Sequence, residues 1–222
     1  MCGPIASPRR CLTLLPSELL VKTGPVDHAD WNYHGMVARL QQHRFRMALA
    51  ALGKRRYGRL LELGYGSGIF MPELSQRCDA LYGLDIHAFT SEVAAALARV
   101  GVTAELTTGR AERLPYPSGY FDAVVSISAL EFVPEVEVAC REIGRLLAPG
   151  GVFVVVTPAY SPVVDWGLKL LTGESAKQDF GNRRKRVHAA LRRTFRVLSY
   201  QVFPPIWAGV QLYHVFELDT AK

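Results

Sequence analysis

Three glycines at every second position mark the stretch of this chain whose residue types best suit a ligand-binding site. A short apolar run ends at Glu62, the glycines follow as Gly64, Gly66 and Gly68, and apolar residues resume over 69–71. Glycine adopts positive φ without strain, and its missing Cβ lets a ligand lie against the backbone. This order of residues predicts a buried strand, a tight loop and a helix.

The spacing of the glycines separates two common kinds of nucleotide site. A dinucleotide-binding loop follows the pattern G-x-G-x-x-G, which would place its third glycine where Ile69 stands, whereas here it is Gly68. No Gly-Lys-Ser or Gly-Lys-Thr follows, which disfavours a phosphate-binding loop. A nicotinamide-dependent oxidoreductase is therefore disfavoured.

An acidic residue follows at the end of the next apolar run. Asp85 closes the predicted strand 80–85 and lies 21 residues after Gly64. A carboxylate in this position can accept hydrogen bonds from both hydroxyls of a ribose. Since several kinds of nucleoside site use this device, Asp85 indicates a nucleoside ligand without identifying it.

Apolar runs and helical patterns alternate along the chain. The predicted strands are 57–64, 80–85, 103–107, 121–126, 152–157, 195–204 and 210–218. The pattern predicts an α/β fold: a doubly wound, Rossmann-like, seven-stranded sheet that is mostly parallel, with an antiparallel C-terminal edge hairpin and helices on both faces. Before the first strand, Asp30 is predicted to cap a helix over 31–52.

Four segments in this order resemble the motifs of one family. The order acidic-x-Gly-x-Gly-x-Gly over 62–68 resembles motif I of class I S-adenosylmethionine-dependent methyltransferases, of the small-molecule, methyltransferase type 11-like branch. Residues 109–116 resemble the segment after the third strand, 121–126 match motif IV, and 145–151 match motif VI, the turn into the fifth strand. The resemblance covers roughly residues 56–158.

The resemblance implies S-adenosyl-L-methionine as cofactor and a set of residues that contact it. Arg110 occupies the position of the family's usual aspartate, so the adenine contact is assigned to the Ala111 backbone and to Glu112. The backbone carbonyl of Ser126 is expected to meet the donor's ammonium group. The full expected set is Tyr33, Glu62, Gly64, Tyr65, Gly66, Gly68, Asp85, Ile86, Ala111, Glu112 and Ser126.

The expected activity is methyl transfer to a small-molecule or lipid-like acceptor at oxygen, nitrogen or carbon. A non-catalytic partner or scaffold subunit with the same fold is the alternative. A general base is needed only for a hydroxyl or protonated amine acceptor. His34 and Glu131 are the candidate bases, although a structural role is favoured for each. Tyr160 and Trp166, in an apolar stretch, are expected to contact the acceptor.

The length of 222 residues predicts a single domain over 1–222. Its expected parts are an N-terminal arm with a capping helix (1–55), a donor-binding core (56–158), a substrate-side insertion or lid (159–194) and C-terminal strands (195–222). The four cysteines lack metal-ligand spacing, so no metal is expected, and their scatter indicates a reducing cytoplasm. The oligomeric state remains open.

The formal net charge of +6 raises the question of an anionic partner. Much of the excess lies near 183–196, which is predicted to be a basic amphipathic helix. Such a helix can be an ordinary surface helix, a lid over a hydrophobic acceptor or a contact with an anionic membrane surface. Nucleic acid is disfavoured because no recognisable RNA-binding module accompanies it.

Overall fold

The computed structural model describes residues 11–24, 27–159, 179–204 and 211–220. Its strands are β1 Tyr57–Leu63, β2 Cys78–Asp85, β3 Glu105–Thr108, β4 Phe121–Ile127, β5 Leu147–Pro158, β6 Arg196–Phe203 and β7 Tyr213–Asp219. They form one sheet in the order β3-β2-β1-β4-β5-β7-β6. The first five strands pair in parallel, and β7 is antiparallel to both β5 and β6. The predicted fold class is confirmed.

The helices are α1 Gly35–Leu52, α2 Met71–Leu74, α3 Thr90–Ala98, α4 Val136–Leu146 and α5 Asp179–Thr194. Successive side chains of a strand point to opposite faces of the sheet. Leu60 therefore joins the core shared with α1, α2 and α3, and its neighbour Leu61 joins the core shared with α4 and α5. Helices thus cover both faces, as a two-sided parallel sheet requires.

The end of β1 lies at the centre of the sheet. Glu62 is in register with Gly83 of β2 on one side and with Val125 of β4 on the other. Strand order reverses here, because chain-consecutive strands run from β1 towards β3 and then return to β4 beside β1. In open α/β sheets such a reversal leaves a crevice at the carboxyl ends of the strands.

The prediction that Asp30 caps a helix starting at residue 31 is wrong. The preceding residues form a separate 3-10 turn, Ala29–Tyr33, and α1 begins at Gly35 without a side-chain hydrogen bond at its cap. The carboxylate that organises this region is Asp27, which accepts hydrogen bonds from the backbone and hydroxyl of Thr23 and from the first amide of the turn. The donors that Asp27 binds therefore belong to the segment before α1 and not to the first turn of α1.

The basic helix α5 uses its apolar side inside the protein. Val187, Ala190 and Leu191 are buried in the core shared with α4. On the outer side, Arg186 donates to a carboxylate oxygen of Glu137 at 3.2 Å. The described part of α5 therefore keeps no apolar face for insertion into a bilayer. Within the described ranges, no helix combines the length and hydropathy that a membrane crossing needs.

Candidate functional site

A cavity of about 710 Å³ lies at the crevice where the strand order reverses. Its walls come from the ends of β1 and β2, from the loops after β3 and β4, and from α1, α5 and the start of β7. The volume is in the range of roughly 300–1,000 Å³ that is typical of small-molecule sites. The sheet topology thus positions a ligand site where the sequence places its glycines.

The three glycines of the loop all have positive φ, but the space around a side chain at each position differs. Gly64, Gly66 and Gly68 have φ of +79°, +52° and +73°. A Cβ added to Gly64 would lie 2.3 Å from the Cβ of Ala129, and one added to Gly68 would lie 2.9 Å from Val93. A Cβ on Gly66 would have no described atom closer than 4.0 Å. Packing explains the first and third glycines, whereas Gly66 presents bare main chain to the cavity.

Asp85 supports this bare main chain from the neighbouring strand. Its Oδ2 accepts a hydrogen bond from the Gly66 amide at 2.8 Å, and its Oδ1 accepts one from the Ile86 amide at 2.7 Å. A carboxylate has about four lone-pair sites, so Asp85 can still accept hydrogen bonds from a ligand. Ile86 is 68% exposed and lines the cavity, which gives it an apolar surface beside the carboxylate.

His87 holds the same glycine at its carbonyl group. The amide of Phe89 donates to its Nδ1 at 3.1 Å, and its Nε2 lies 3.0 Å from the carbonyl oxygen of Gly66. Since Nδ1 accepts, the neutral ring carries its proton on Nε2 and donates it to that carbonyl. Gly66 is therefore held through both its amide and its carbonyl.

The turn after β3 forms another wall of the cavity. Arg110, which replaces the family's aspartate, pairs with Glu112 at 3.0 Å, so the two charges neutralise each other locally. Ala111 between them is buried and lines the cavity. The amide of Gly109 donates to the carbonyl of Asp85 at 2.8 Å, which joins this turn to the end of β2.

Two buried carboxyl groups face the cavity without full hydrogen bonding. Glu62 and Glu131 are 4% and 2% exposed, and in the described chain neither Oε2 has a hydrogen-bond partner. Burial raises the pKa of Glu62 to about 8, Asp85 adds to the increase, and Arg44 opposes it. Burial likewise raises the pKa of Glu131 to about 7. Unsatisfied buried polar atoms are costly, so their place on a cavity wall indicates a polar ligand.

Arg44 is a cavity residue that was absent from the predicted set. It lies on α1, lines the cavity, and its Nε has no hydrogen-bond partner among the described residues. Burial lowers the pKa of Arg44, and neighbouring acids oppose that decrease. Arg44 is four residues from both Leu40 and Ala48, so it interrupts the apolar side of α1. A charged residue on an otherwise apolar side of a helix is a pattern that could have identified Arg44 from the sequence.

Several predicted site residues line the cavity together. These are Glu62, Gly64, Tyr65, Gly66, Asp85, Ile86, Ala111, Glu112 and Glu131. The structure brings them from four separate segments of the chain to one edge of the sheet. Arg44 and Arg184 join them from α1 and α5.

Other predicted residues lie outside the cavity lining. The hydroxyl of Tyr33 donates to the carbonyl of Leu15, and burial raises the pKa of Tyr33 to about 12. His34 is exposed at the start of α1. Neither residue is among the described lining residues, and neither is Gly68 or Ser126.

The placement of Ser126 has a simple cause. Ser126 is buried inside β4, which continues to Ile127, so Ile127 and Ser128 form the cavity wall instead. Tyr65, by contrast, does line the cavity although it is almost fully buried. The predicted acceptor residues Tyr160 and Trp166 lie outside the described residues.

Comparison with known proteins identifies what this arrangement resembles. Residues 61–155 match the family model described as a methyltransferase domain. A phosphatidylethanolamine N-methyltransferase of Cereibacter sphaeroides is 33% identical over 114 residues, which cover 50% of this chain and 56% of that protein. A ubiquinone/menaquinone biosynthesis C-methyltransferase of Photorhabdus laumondii is 28% identical over 131 residues, which cover 53% of this chain and 51% of that protein. The chain thus spans about half the length of these curated relatives.

Solved structures share the fold over most of the chain. A geranyl diphosphate C-methyltransferase of Streptomyces coelicolor, in complex with its substrate and S-adenosyl-L-homocysteine, has a TM-score of 0.66 at 16% identity and covers 93% of this chain and 94% of its own. The N-methyltransferase NodS of Bradyrhizobium japonicum, also in complex with S-adenosyl-L-homocysteine, has a TM-score of 0.62 at 16% identity, with 90% and 95% covered. At this identity the likeness concerns the fold.

Fold, glycine loop and family match agree with one another. Together they support a class I S-adenosylmethionine-dependent methyltransferase, with the family match confined to residues 61–155. The resemblance seen in the sequence is thereby confirmed, and S-adenosyl-L-methionine is the cofactor of this class.

Proposed function

We propose that this protein transfers a methyl group from S-adenosyl-L-methionine to a small-molecule acceptor with an apolar part. One observation carries the proposal: the open Gly66 backbone, the Asp85 carboxylate and the unsatisfied carboxyl oxygen of Glu62 line one cavity. When bound, S-adenosyl-L-methionine supplies a methyl group activated by its sulfonium. The residues of this chain bind, orient and shield the reacting groups.

The wall made by the glycine loop and the ends of β2 and β3 suits the nucleoside part of the donor. Asp85 is placed to accept hydrogen bonds from ribose hydroxyls, and exposed Ile86 offers an apolar surface to the base. The main chain at Ala111 and the carboxylate of Glu112 lie at the turn expected to meet the base edge. The pairing of Glu112 with Arg110 leaves that carboxylate partly occupied, so the Ala111 backbone is the stronger candidate.

The remaining wall suits an acceptor with an apolar part. It contains Trp31, Leu40, Phe132, Val133, Leu212 and Tyr213. The named relatives act on phosphatidylethanolamine and in ubiquinone/menaquinone biosynthesis, and one fold neighbour holds geranyl diphosphate. Lipid, prenylated quinone and terpenoid acceptors are therefore the classes to test first.

Catalysis requires mainly that the acceptor atom, the methyl carbon and the sulfur be held in line. Orientation of this kind contributes about 7–11 kcal/mol in favourable cases. If the acceptor is a hydroxyl or an ammonium group, Glu131 is the favoured proton acceptor, because it is buried on the cavity wall with a pKa raised to about 7. His34 is exposed and outside the lining, which disfavours it as a base.

The scaffold alternative has to be tested, because the fold by itself does not carry methyl transfer. The cyclase SpnF has the same fold, with a TM-score of 0.61 at 17% identity. A scaffold, however, has no use for bare main chain at Gly66 or for unsatisfied carboxyl oxygens on a cavity wall.

A lipid acceptor would also fit an electrostatic contact between the outward basic residues of α5 and an anionic membrane.

Two measurements test the proposal. Calorimetric titration with S-adenosyl-L-homocysteine should show binding at one site per chain. Incubation with methyl-labelled S-adenosyl-L-methionine and, separately, phosphatidylethanolamine vesicles, a prenylated quinol and a prenyl diphosphate should transfer label to one class. Binding without transfer to any acceptor would favour the scaffold, and absence of binding would overturn both the donor site and the activity.

A further inference from the structure

The segment that follows β4 places two polar side chains on the cavity wall. Ser128 and Glu131 both line the cavity, and in the described part of the chain Ser128 Oγ and Glu131 Oε2 are buried without a hydrogen-bond partner. Glu131 as a whole is only 2% exposed. Burying a polar group without a partner is costly, so this segment has room for two hydrogen bonds that a ligand can supply.

Ser128 is held in a conformation that its residue type rarely adopts. Its φ is +54°, in the left-handed region, and its amide donates to the carbonyl of Val156 in β5 at 2.8 Å. Such a conformation is unfavourable for a residue with a Cβ, and it persists where the surrounding structure fixes it, often at a functional site. The neighbouring strand therefore fixes the position of Ser128.

The same segment packs directly against the glycine loop. A Cβ on Gly64 would lie 2.3 Å from the Cβ of Ala129, which stands between Ser128 and Glu131 in the chain. The turn then closes through a hydrogen bond from the Phe132 amide to the Ala129 carbonyl at 3.0 Å. The segment that carries the two unsatisfied atoms therefore lies beside the loop that the proposed function assigns to the donor, where an acceptor atom has to come.

The number of missing hydrogen-bond partners distinguishes the possible acceptor atoms. A carbon nucleophile donates no hydrogen bond, and a hydroxyl has a single hydrogen. With a substrate hydroxyl at Glu131, the Ser128 hydroxyl would have to donate to the nucleophilic oxygen and would reduce its reactivity. A neutral primary amine has two N–H groups, so it can donate to both oxygens and still direct its lone pair elsewhere.

We propose that Ser128 and Glu131 hold the amino group of a primary amine acceptor, with Glu131 as the proton acceptor, and that the protein methylates nitrogen. This inference rests on the proposed function and goes further, because it selects the acceptor atom. The acceptor ammonium first gives a proton to the Glu131 carboxylate. The nitrogen lone pair then bonds to the methyl carbon, while the C–S bond breaks and leaves its electron pair on sulfur. The product is a methylammonium group, and the proton on Glu131 returns to solvent.

The charges around Glu131 suit this proton transfer. Burial raises the pKa of Glu131 to about 7, while its own backbone amide, Arg184 and Arg44 oppose the increase. The two arginines come from α5 and α1, and both line the cavity. Positive charge near an ammonium group lowers its pKa and favours the neutral, nucleophilic amine. The ammonium group in turn favours the charged form of the carboxylate that receives its proton.

The experiment compares probes that differ in the acceptor group. n-Octylamine and 1-octanol share one apolar chain, and vesicles of phosphatidylethanolamine and of phosphatidylglycerol present an amino group and hydroxyl groups, respectively, on a lipid. Binding of the first two probes to protein saturated with S-adenosyl-L-homocysteine is measured by calorimetry at pH 8, above the pKa of Glu131. Transfer from methyl-labelled S-adenosyl-L-methionine is followed for all four probes, and the labelled atom is identified.

The variants separate the two side chains. Ser128→Ala keeps the Cβ, so it removes the hydroxyl without changing the backbone constraint. Glu131→Gln keeps the shape of the side chain and removes its ability to take a proton. Glu135→Gln is the matched control, since Glu135 is exposed and is not a lining residue.

The wild type should bind n-octylamine at least about 10-fold more tightly than 1-octanol. Glu131→Gln should weaken n-octylamine about 10- to 100-fold, the scale of a hydrogen bond to a charged group, and Ser128→Ala about 3- to 10-fold. Both should change the binding of 1-octanol by less than about 2-fold. Transfer to nitrogen should fall at least about 100-fold in Glu131→Gln, and Glu135→Gln should behave like the wild type. Label on phosphatidylethanolamine or on n-octylamine shows whether the amine belongs to a lipid or to a free molecule.

Equal affinity of the wild type for n-octylamine and 1-octanol, including failure to bind either, would overturn the inference. Label on oxygen or carbon, or absence of label from both amines, would overturn it as well. Unaltered binding of S-adenosyl-L-homocysteine serves as the test that each variant is folded. If the wild type does not bind S-adenosyl-L-homocysteine, the proposed function itself fails. The two failures are therefore distinguishable.

Discussion

The amide of Gly66 donates to Oδ2 of Asp85 across 2.8 Å, so the residue that faces the cavity with bare main chain is held by the neighbouring strand. The carbonyl of the same residue accepts from His87. The conformation of the loop is therefore set before any ligand binds, which reduces the ordering cost of binding. Asp85 has two functions in this arrangement, as loop anchor and as proposed ribose ligand.

Replacement of Asp85 should weaken donor binding through both functions. Asp85→Ala should cost about 1.5–3 kcal/mol in the binding free energy of S-adenosyl-L-homocysteine, the scale of hydrogen bonds to a charged group. Asp85→Asn keeps one acceptor oxygen for the Gly66 amide and should cost less. Calorimetry measures both, with Asp79→Ala as control because Asp79 is on the same strand and its side chain is 68% exposed. Equal affinities for Asp85→Ala and wild type would contradict the ribose assignment.

The three loop glycines should respond differently to the same substitution. Gly66→Ala should cost about 1–2 kcal/mol of stability from its left-handed conformation and should strongly weaken donor binding, since its Cβ would enter the cavity. Gly64→Ala and Gly68→Ala should destabilise the fold by more, because their Cβ atoms would also overlap Ala129 and Val93. Urea unfolding, monitored by circular dichroism, gives the order of the three stability losses. A Gly66→Ala variant with the largest stability loss of the three would refute this explanation.

Glu131 should make the ligand-free protein less stable at high pH. Burial raises the pKa of Glu131 from 4.5 to about 7, so the folded state binds the proton more tightly than the unfolded chain does. The stability from this proton is fully present below about pH 4.5 and is lost as the pH rises through 7. Glu131→Gln cannot ionise, so its unfolding free energy relative to wild type should rise by on the order of 2 kcal/mol between pH 5 and pH 8.

Urea denaturation of both proteins at the two pH values measures this difference. The exposed neighbour Glu135 provides the control, because Glu135→Gln should leave the pH dependence unchanged. If the unfolding free energies of Glu131→Gln and wild type change equally between the two pH values, the carboxyl of Glu131 does not titrate with a raised pKa.

His188 should have the opposite pH dependence. Burial lowers its pKa from 6.5 to about 4, with smaller effects from His214 and Arg192, and its Nε2 lies 3.2 Å from the hydroxyl oxygen of Thr157. The neutral ring therefore stabilises the fold above about pH 6.5, and this stability is lost as the pH falls towards 4. Between pH 7 and pH 4.5, His188→Gln should lose roughly 2 kcal/mol less unfolding free energy than the wild type does.

Thermal unfolding of the two proteins across this pH range checks the prediction. His28→Gln is a suitable control, since His28 directly precedes the 3-10 turn Ala29–Tyr33 and is not part of α5. If His188→Gln and wild type lose stability in parallel on acidification, the buried histidine is not the titrating group.

The positions of the strands along the chain and the class of site follow from local features of the sequence. Apolar runs with β-branched residues form the strands, and the spacing of Gly64, Gly66 and Gly68 selects the kind of loop, because each depends on residues adjacent in the chain. The position of Asp85 at the end of β2 follows from the same regularity. These features indicate a nucleoside ligand before any three-dimensional contact is known.

Tertiary structure decided which side chains enter the crevice. Only packing against Ala129 and Val93 distinguishes Gly66 from its two neighbouring glycines, and only the docking of α1 on the sheet brings Arg44 to Glu62. The exposure of His34 likewise depends on how the chain enters α1. Such contacts join residues far apart in sequence, so no local pattern encodes them, and they appear only when the helices are packed on the sheet.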